Sequence, residues 1–114
     1  MRTKCERKVI MMARTTIRIQ YTDPRQANET LERILSSHNY KYICENGENV
    51  WKCGVGFWTA MKYIKVEYAD NNTMLISGWI RAVLGSEQDL NGFAGGLPKK
   101  QVMNVIEQLQ RSIH

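Results

Sequence analysis

Candidate chemistry in this sequence gathers in ten residues, Val50 to Thr59, where Trp51, Cys53, Phe57 and Trp58 alternate with two glycines. Rings beside a thiol and a turn could organise either a binding site or a core. Acid–base and nucleophilic catalysis need converging groups, and histidine is their usual centre at neutral pH. The chain has two histidines. His38 falls where a helix should stop and His114 is the terminal residue, so neither is placed for a catalytic site. Cys44 and Cys53 fall on core-facing strand positions, where a thiol packs as a small hydrophobe; a reactive thiol needs an electropositive, partly exposed setting. No Cys or His spacing matches a metal site. No catalytic residue, cofactor or metal is therefore expected.

Two binding constellations remain. Gly95, Gly96, Leu97, Pro98, Lys99 and Lys100 bring glycines, a helix start and two lysines together, an arrangement that could hold an anion on Gly95, Gly96, Lys99 and Lys100. The spacing lacks the fingerprint of a phosphate loop, and any tight entry into a helix uses similar residues. Glu87 and Asp89 read as solvated loop acids. A broader candidate is one sheet face carrying Arg18, Gln20, Lys41, Lys52, Tyr63, Lys65, Trp79 and Arg81. Rings interleaved with cations suit single-stranded nucleic acid. They equally suit a protein interface, where Trp, Tyr and Arg are enriched. Phe57 and Trp58 would add anchors if exposed beside Trp79, and the bland alternative is cross-strand pairing such as Tyr63 with Trp79.

The elements that must position these residues follow from periodicity. Thr15 to Tyr21 alternates, with Ile17, Ile19 and Tyr21 on one side, as a half-buried strand does. Asp23, Pro24 and Gln26 supply an N-cap, a first-turn proline and a capping-box glutamine. Ala27, Leu31, Ile34 and Leu35 then form one helical stripe that ends at Ser36 to Asn39. Tyr40 to Glu45 and Glu48 to Val55 flank Asn46 and Gly47, a strong hairpin signal. Tyr40, Tyr42 and Cys44 share a face with Trp51, Cys53 and Val55, which is the expected core side. A two-residue loop would set Glu45 against Glu48 and Lys41 against Lys52, so a four-residue loop or a bulge is expected.

Met61 to Tyr68 and Thr73 to Arg81 form a second hairpin. A three-residue loop puts Ile64, Val66 and Tyr68 with Met74, Ile76, Gly78 and Ile80, and leaves Tyr63, Lys65 and Glu67 opposite Trp79, Ser77 and Leu75. An even loop would bury Leu75 and Trp79 instead. Residues 82–97 are irregular and long enough to include a further short strand. From Pro98, Val102, Val105, Ile106, Leu109 and Ile113 mark a last amphipathic helix, with Lys99, Lys100 and Glu107 on its wet side.

At 114 residues the chain suits one domain. Its net charge of +5 is unevenly placed. Four of sixteen basic and one of eleven acidic residues lie within residues 1–11, so the rest carries twelve against ten, a net of +2. Residues 1–11 read as a flexible leader or an upstream extension before Met12, and residues 12–114 as the domain. No apolar run reaches the roughly 18–20 residues of a membrane span, and an odd cysteine count argues against a secreted disulfide framework. A cytoplasmic protein is expected.

The order strand, helix, four strands, helix defines an α+β fold, an antiparallel sheet of about five strands with both helices on one face. That order resembles the TATA-binding-protein-like folds. The run Trp51 to Tyr68, with Gly92, Phe93 and Leu97 to Lys100, resembles small uncharacterised bacterial proteins over roughly two thirds of the chain. The resemblance implies a fold and no activity. The expected function is a non-catalytic binding or assembly domain that uses its sheet face or an unpaired edge. A protein partner or self-association, including a homodimer, is favoured over a single-stranded nucleic acid by the core's small net charge. A small-ligand carrier or enzyme with a pocket between sheet and helices, lined by Tyr40, Tyr42, Trp51 and Phe57, is the third reading.

Overall fold

In the computed structural model the described residues are 14–54, 61–70, 72–81, 87–88 and 96–113. They form β1 (Thr15–Gln20), α1 (Pro24–Ser37), β2 (Lys41–Glu45), β3 (Glu48–Cys53), β4 (Met61–Asp70), β5 (Thr73–Arg81), β6 (Glu87–Gln88) and α2 (Gly96–Ser112). The expected leader, Phe57, Trp58, Phe93 and Gly95 lie outside these residues.

Capping fixes both ends of α1. The Asp23 side chain accepts the Arg25 amide at 3.0 Å, and Pro24 opens the first turn where its missing N–H costs nothing. At the other end Asn39 takes φ 66°, its amide reaches Ser36 O at 3.0 Å, and Tyr40 N reaches Leu35 O at 3.0 Å. This is a Schellman stop with asparagine in the left-handed position. Its companion contact is apolar, because Leu35 and Tyr40 are both buried. The helix therefore stops at His38 and turns the chain straight into β2.

The sheet runs β1-β5-β4-β3-β2, all neighbours antiparallel, with β6 pairing the end of β5. α1 carries the chain from β1 at one edge to β2 at the other. In the second hairpin Ile64 faces Gly78, Val66 faces Ile76 and Tyr68 faces Met74, while Tyr63 opposes Trp79. That is the register which gathers the branched residues. A shift between Tyr68 and Asp70 absorbs the extra residue before the turn.

The first hairpin corrects the sequence reading. Its loop is the two residues Asn46 and Gly47, at φ 52° and 78°, which is the left-handed pair of a type I′ turn. Glu45 does face Glu48, and Lys41 faces Lys52. The repulsion is removed because each glutamate is bound to separate cations, as described below.

Both helices lie on one face. Ala27, Leu31, Ile34 and Leu35 of α1 join Val102, Val105, Ile106 and Leu109 of α2, and Ile113 just beyond its end, over Ile19, Tyr21, Ile64, Met74, Ile76 and Ile80. Ile17, Trp51, Cys53 and Val66 pack at the margin of this core. Three positions depart from expectation. Cys44 and Tyr42 are exposed, because β2 is an edge strand among the described residues, and Cys44 is disulfide-bonded rather than a thiol packed in the core. Lys99 is buried rather than wet: it precedes Val102 and Ile106 by three and seven residues, which puts it on the helix's inward stripe. α2 also begins at Gly96, two residues before Pro98.

Candidate binding groove

On the face away from the helices, the residues that looked like a binding platform are engaged with one another. The Tyr63 and Trp79 rings stack 5.2 Å apart with planes 3° from parallel, and each residue is 2% exposed. They form a second small core with Val50, flanked by Ile43 and Met61. The Arg14 guanidinium sits 3.5 Å over the Trp79 ring and Lys52 Nζ lies 5.6 Å over Tyr63. An aromatic pair in contact is worth about 0.5–1.5 kcal/mol beyond its buried area, and a cation over a ring about 0.5–2 kcal/mol.

Two glutamates hold the cations in place. Glu48, with a side chain 5% exposed, takes both Arg14 guanidinium nitrogens at 2.8 and 2.6 Å and Lys65 Nζ at 2.9 Å. The Arg14 hydrogen bonds, opposed by burial and aided by Lys65, hold its carboxyl down at about 2. Glu45 takes Lys52 Nζ at 2.6 Å and the Tyr63 hydroxyl, with Arg81 4.0 Å away. Burial pushes the Glu45 carboxyl up, but the Lys52 and Tyr63 hydrogen bonds and the two cations outweigh it, so it too lies below its ordinary value. Thus Glu45 and Glu48 are adjacent yet not in conflict.

The candidate site residues are therefore divided. Tyr63 and Trp79 are buried; Lys52 and Arg81 are partly exposed and bound to Glu45. Arg18, Gln20 and Lys41 are exposed. At the start of α2, Lys100 is exposed while Lys99 is buried, so the two lysines do not share a surface.

The exposed aromatic surface lies elsewhere. Tyr42 is 60% and Tyr68 50% exposed, and both line a groove of about 360 Å³ between α1 and the β2-β3-β4 side of the sheet. Leu31, Val66 and Trp51 complete its apolar lining; Asn28 and Glu32 supply the polar rim. The Tyr42 and Trp51 rings are 5.2 Å apart, tilted by 52°, across the β2-β3 pair. Tyr68 meets Tyr21 edge to face at 6.3 Å. Its hydroxyl donates to Asn28 Oδ1 at 2.7 Å, and Asn28 Nδ2 donates to Glu32 Oε1 at 2.9 Å. Burial, then the charges of Tyr21, Glu32 and Tyr42, push the Tyr68 phenol upward, so it remains a neutral donor.

Sequence reasoning named Tyr42 and Trp51 as pocket residues but missed Tyr68, Asn28 and Glu32. The signal was present: Asn28 and Glu32 lie three residues before and one after Leu31, beside the apolar stripe and on the side facing the sheet margin. A smaller cleft of about 230 Å³ lies between His38, Tyr40, Lys62, Gln101 and Asn104. There His38 Nε2 pairs with Gln108 Oε1 at 2.9 Å, tying the end of α1 to α2.

Among the described residues no group of three or more His, Cys, Asp or Glu side chains is placed to hold a metal ion, and no helix is long and apolar enough to cross a membrane. Comparisons with protein families, with curated proteins and with solved structures each found no match for this chain.

Proposed function

We propose that this chain is a non-catalytic binding or assembly domain that engages a polypeptide along the β2 edge and the groove beside it. A second copy of the chain is the simplest partner. One observation carries the reading: among the described residues the two most exposed large rings, Tyr42 and Tyr68, line the same groove next to an edge strand. An edge presents unpaired backbone groups that an extended segment can satisfy, while neighbouring pockets receive its side chains. Tyrosines suit this task because they offer large contact area at little entropic cost. The face that had suggested nucleic acid spends both its rings, and Lys52, Lys65 and Arg81 among its cations, on internal contacts, which favours the edge as the interface.

Light scattering across a concentration series tests the proposal, with affinity capture to detect a different partner. The expected result is a mass that rises above the monomer with concentration, or a captured partner, either one weakened by Tyr42→Ala together with Tyr68→Ala. A monomer mass at every concentration with no captured partner would remove it.

A further inference from the structure

The groove has a charge character opposite to that of the chain. Its described lining includes no Lys, Arg or His, and its one ionisable acid is Glu32, in a protein of net charge +5. Glu29, Glu45 and Glu48 each have a cation within 4.0 Å. Glu32 has none among the described residues. Its carboxylate is instead oriented by the chain Tyr68 hydroxyl to Asn28 amide to Glu32, at 2.7 and 2.9 Å.

Three rings, Tyr42, Trp51 and Tyr68, surround this space, two of them half exposed or more. Ring faces carry partial negative charge, and several rings around one space attract an ammonium group, most strongly when its methyl groups also shed water. Leu31 and Val66 give the aliphatic stem of a long side chain an apolar surface to lie along. We infer that the groove is an aromatic cage for a lysine side chain, methylated or unmodified, presented by the bound polypeptide. This rests on the binding reading above and supplies its chemistry: rings for the cation, Glu32 for its charge and the edge strand for the backbone.

The test is a titration of the full chain, following the Trp51 indole N–H by NMR. The probes are three short peptides identical except for a central lysine, trimethyllysine or norleucine. The expected order is trimethyllysine and lysine ahead of norleucine by about fivefold or more, the size of one cation–ring contact. Glu32→Gln, a change at an exposed helix position, should weaken both cationic peptides about threefold and leave norleucine unchanged. Equal binding of norleucine and lysine, or indifference to Glu32→Gln, would overturn the inference. So would tight binding of free choline with no peptide response, since the occupant would then be a small amine. If no peptide shifts Trp51 while the tyrosine variants still weaken assembly, the cage is refuted and the binding domain stands.

Discussion

Glu48→Gln removes the one negative charge that holds two cations at this point of the sheet and leaves Arg14 and Lys65 facing a neutral amide. A carboxyl at about 2 in the fold against 4.5 unfolded corresponds to about 3–4 kcal/mol, at about 1.4 kcal/mol per unit. Because the cluster lies at the sheet surface and is partly screened, about 1–2 kcal/mol is the expected loss at pH 7. The sign follows from the lowered value. Stability from Glu48 is complete above about 4.5 and disappears as pH falls through about 2. At pH 3 the unfolded carboxyl is almost fully protonated while the folded one is still mostly ionised, so about three fifths of the difference is gone. Urea denaturation of both proteins at pH 7 and pH 3 measures the gap, and carboxyl NMR titration reads Glu48 directly. An equal gap at both pH values, or a Glu48 titration near 4.5, would show that the Arg14 and Lys65 contacts do not hold this charge.

Other perturbations probe different parts of the fold. Trp79→Ala should cost about 3–5 kcal/mol in chemical denaturation, since the ring is 2% exposed and supports both Tyr63 and Arg14; a loss below about 1 kcal/mol would contradict its burial. Asn39→Ala should destabilise by about 1–2 kcal/mol and Asn39→Gly by nothing or less, because the Schellman stop needs φ 66°. The Tyr40 hydroxyl is buried with no hydrogen-bond partner among the described residues, so Tyr40→Phe should be neutral or stabilising by up to about 1 kcal/mol in thermal unfolding. Burial, and then Cys53, raise the Tyr40 phenol. Wild-type stability should therefore fall as pH rises above about 10, where the unfolded phenol ionises first, and the phenylalanine variant should lose this dependence.

Periodicity made most of the fold legible. Ile17 and Ile19 fixed the inward face of β1, the helical stripes named every buried residue of α1, and the branched residues of β4 and β5 selected the observed register. Pairwise charge reasoning failed at Glu45 and Glu48 because strand parity says which residues are opposite, not which third and fourth residues arrive. Lys65 comes from the neighbouring strand and Arg14 from the segment before β1. Strand parity places Trp79 and Tyr63 on the correct side of the sheet, but a face without helices is not the same as an exposed one. Their stacking and the cations above them bury rings that no helix covers. The groove was only half legible, since its Tyr68 and Asn28 come together through a contact between residues 40 positions apart.

The crossover made by α1 has a consequence for how the chain acquires its structure. Both hairpins close over turns of a few residues, whereas β1 meets β5 across a separation of 61 positions at the Thr16–Ser77 contact. Closing such a loop loses more chain entropy than forming a hairpin, and nonlocal pairing of this kind slows folding. During synthesis β1 emerges first and its partner follows much later. Until β5 arrives, Ile17 and Ile19 have no sheet to cover them, so β1 is the segment most open to mispairing before the molecule is complete.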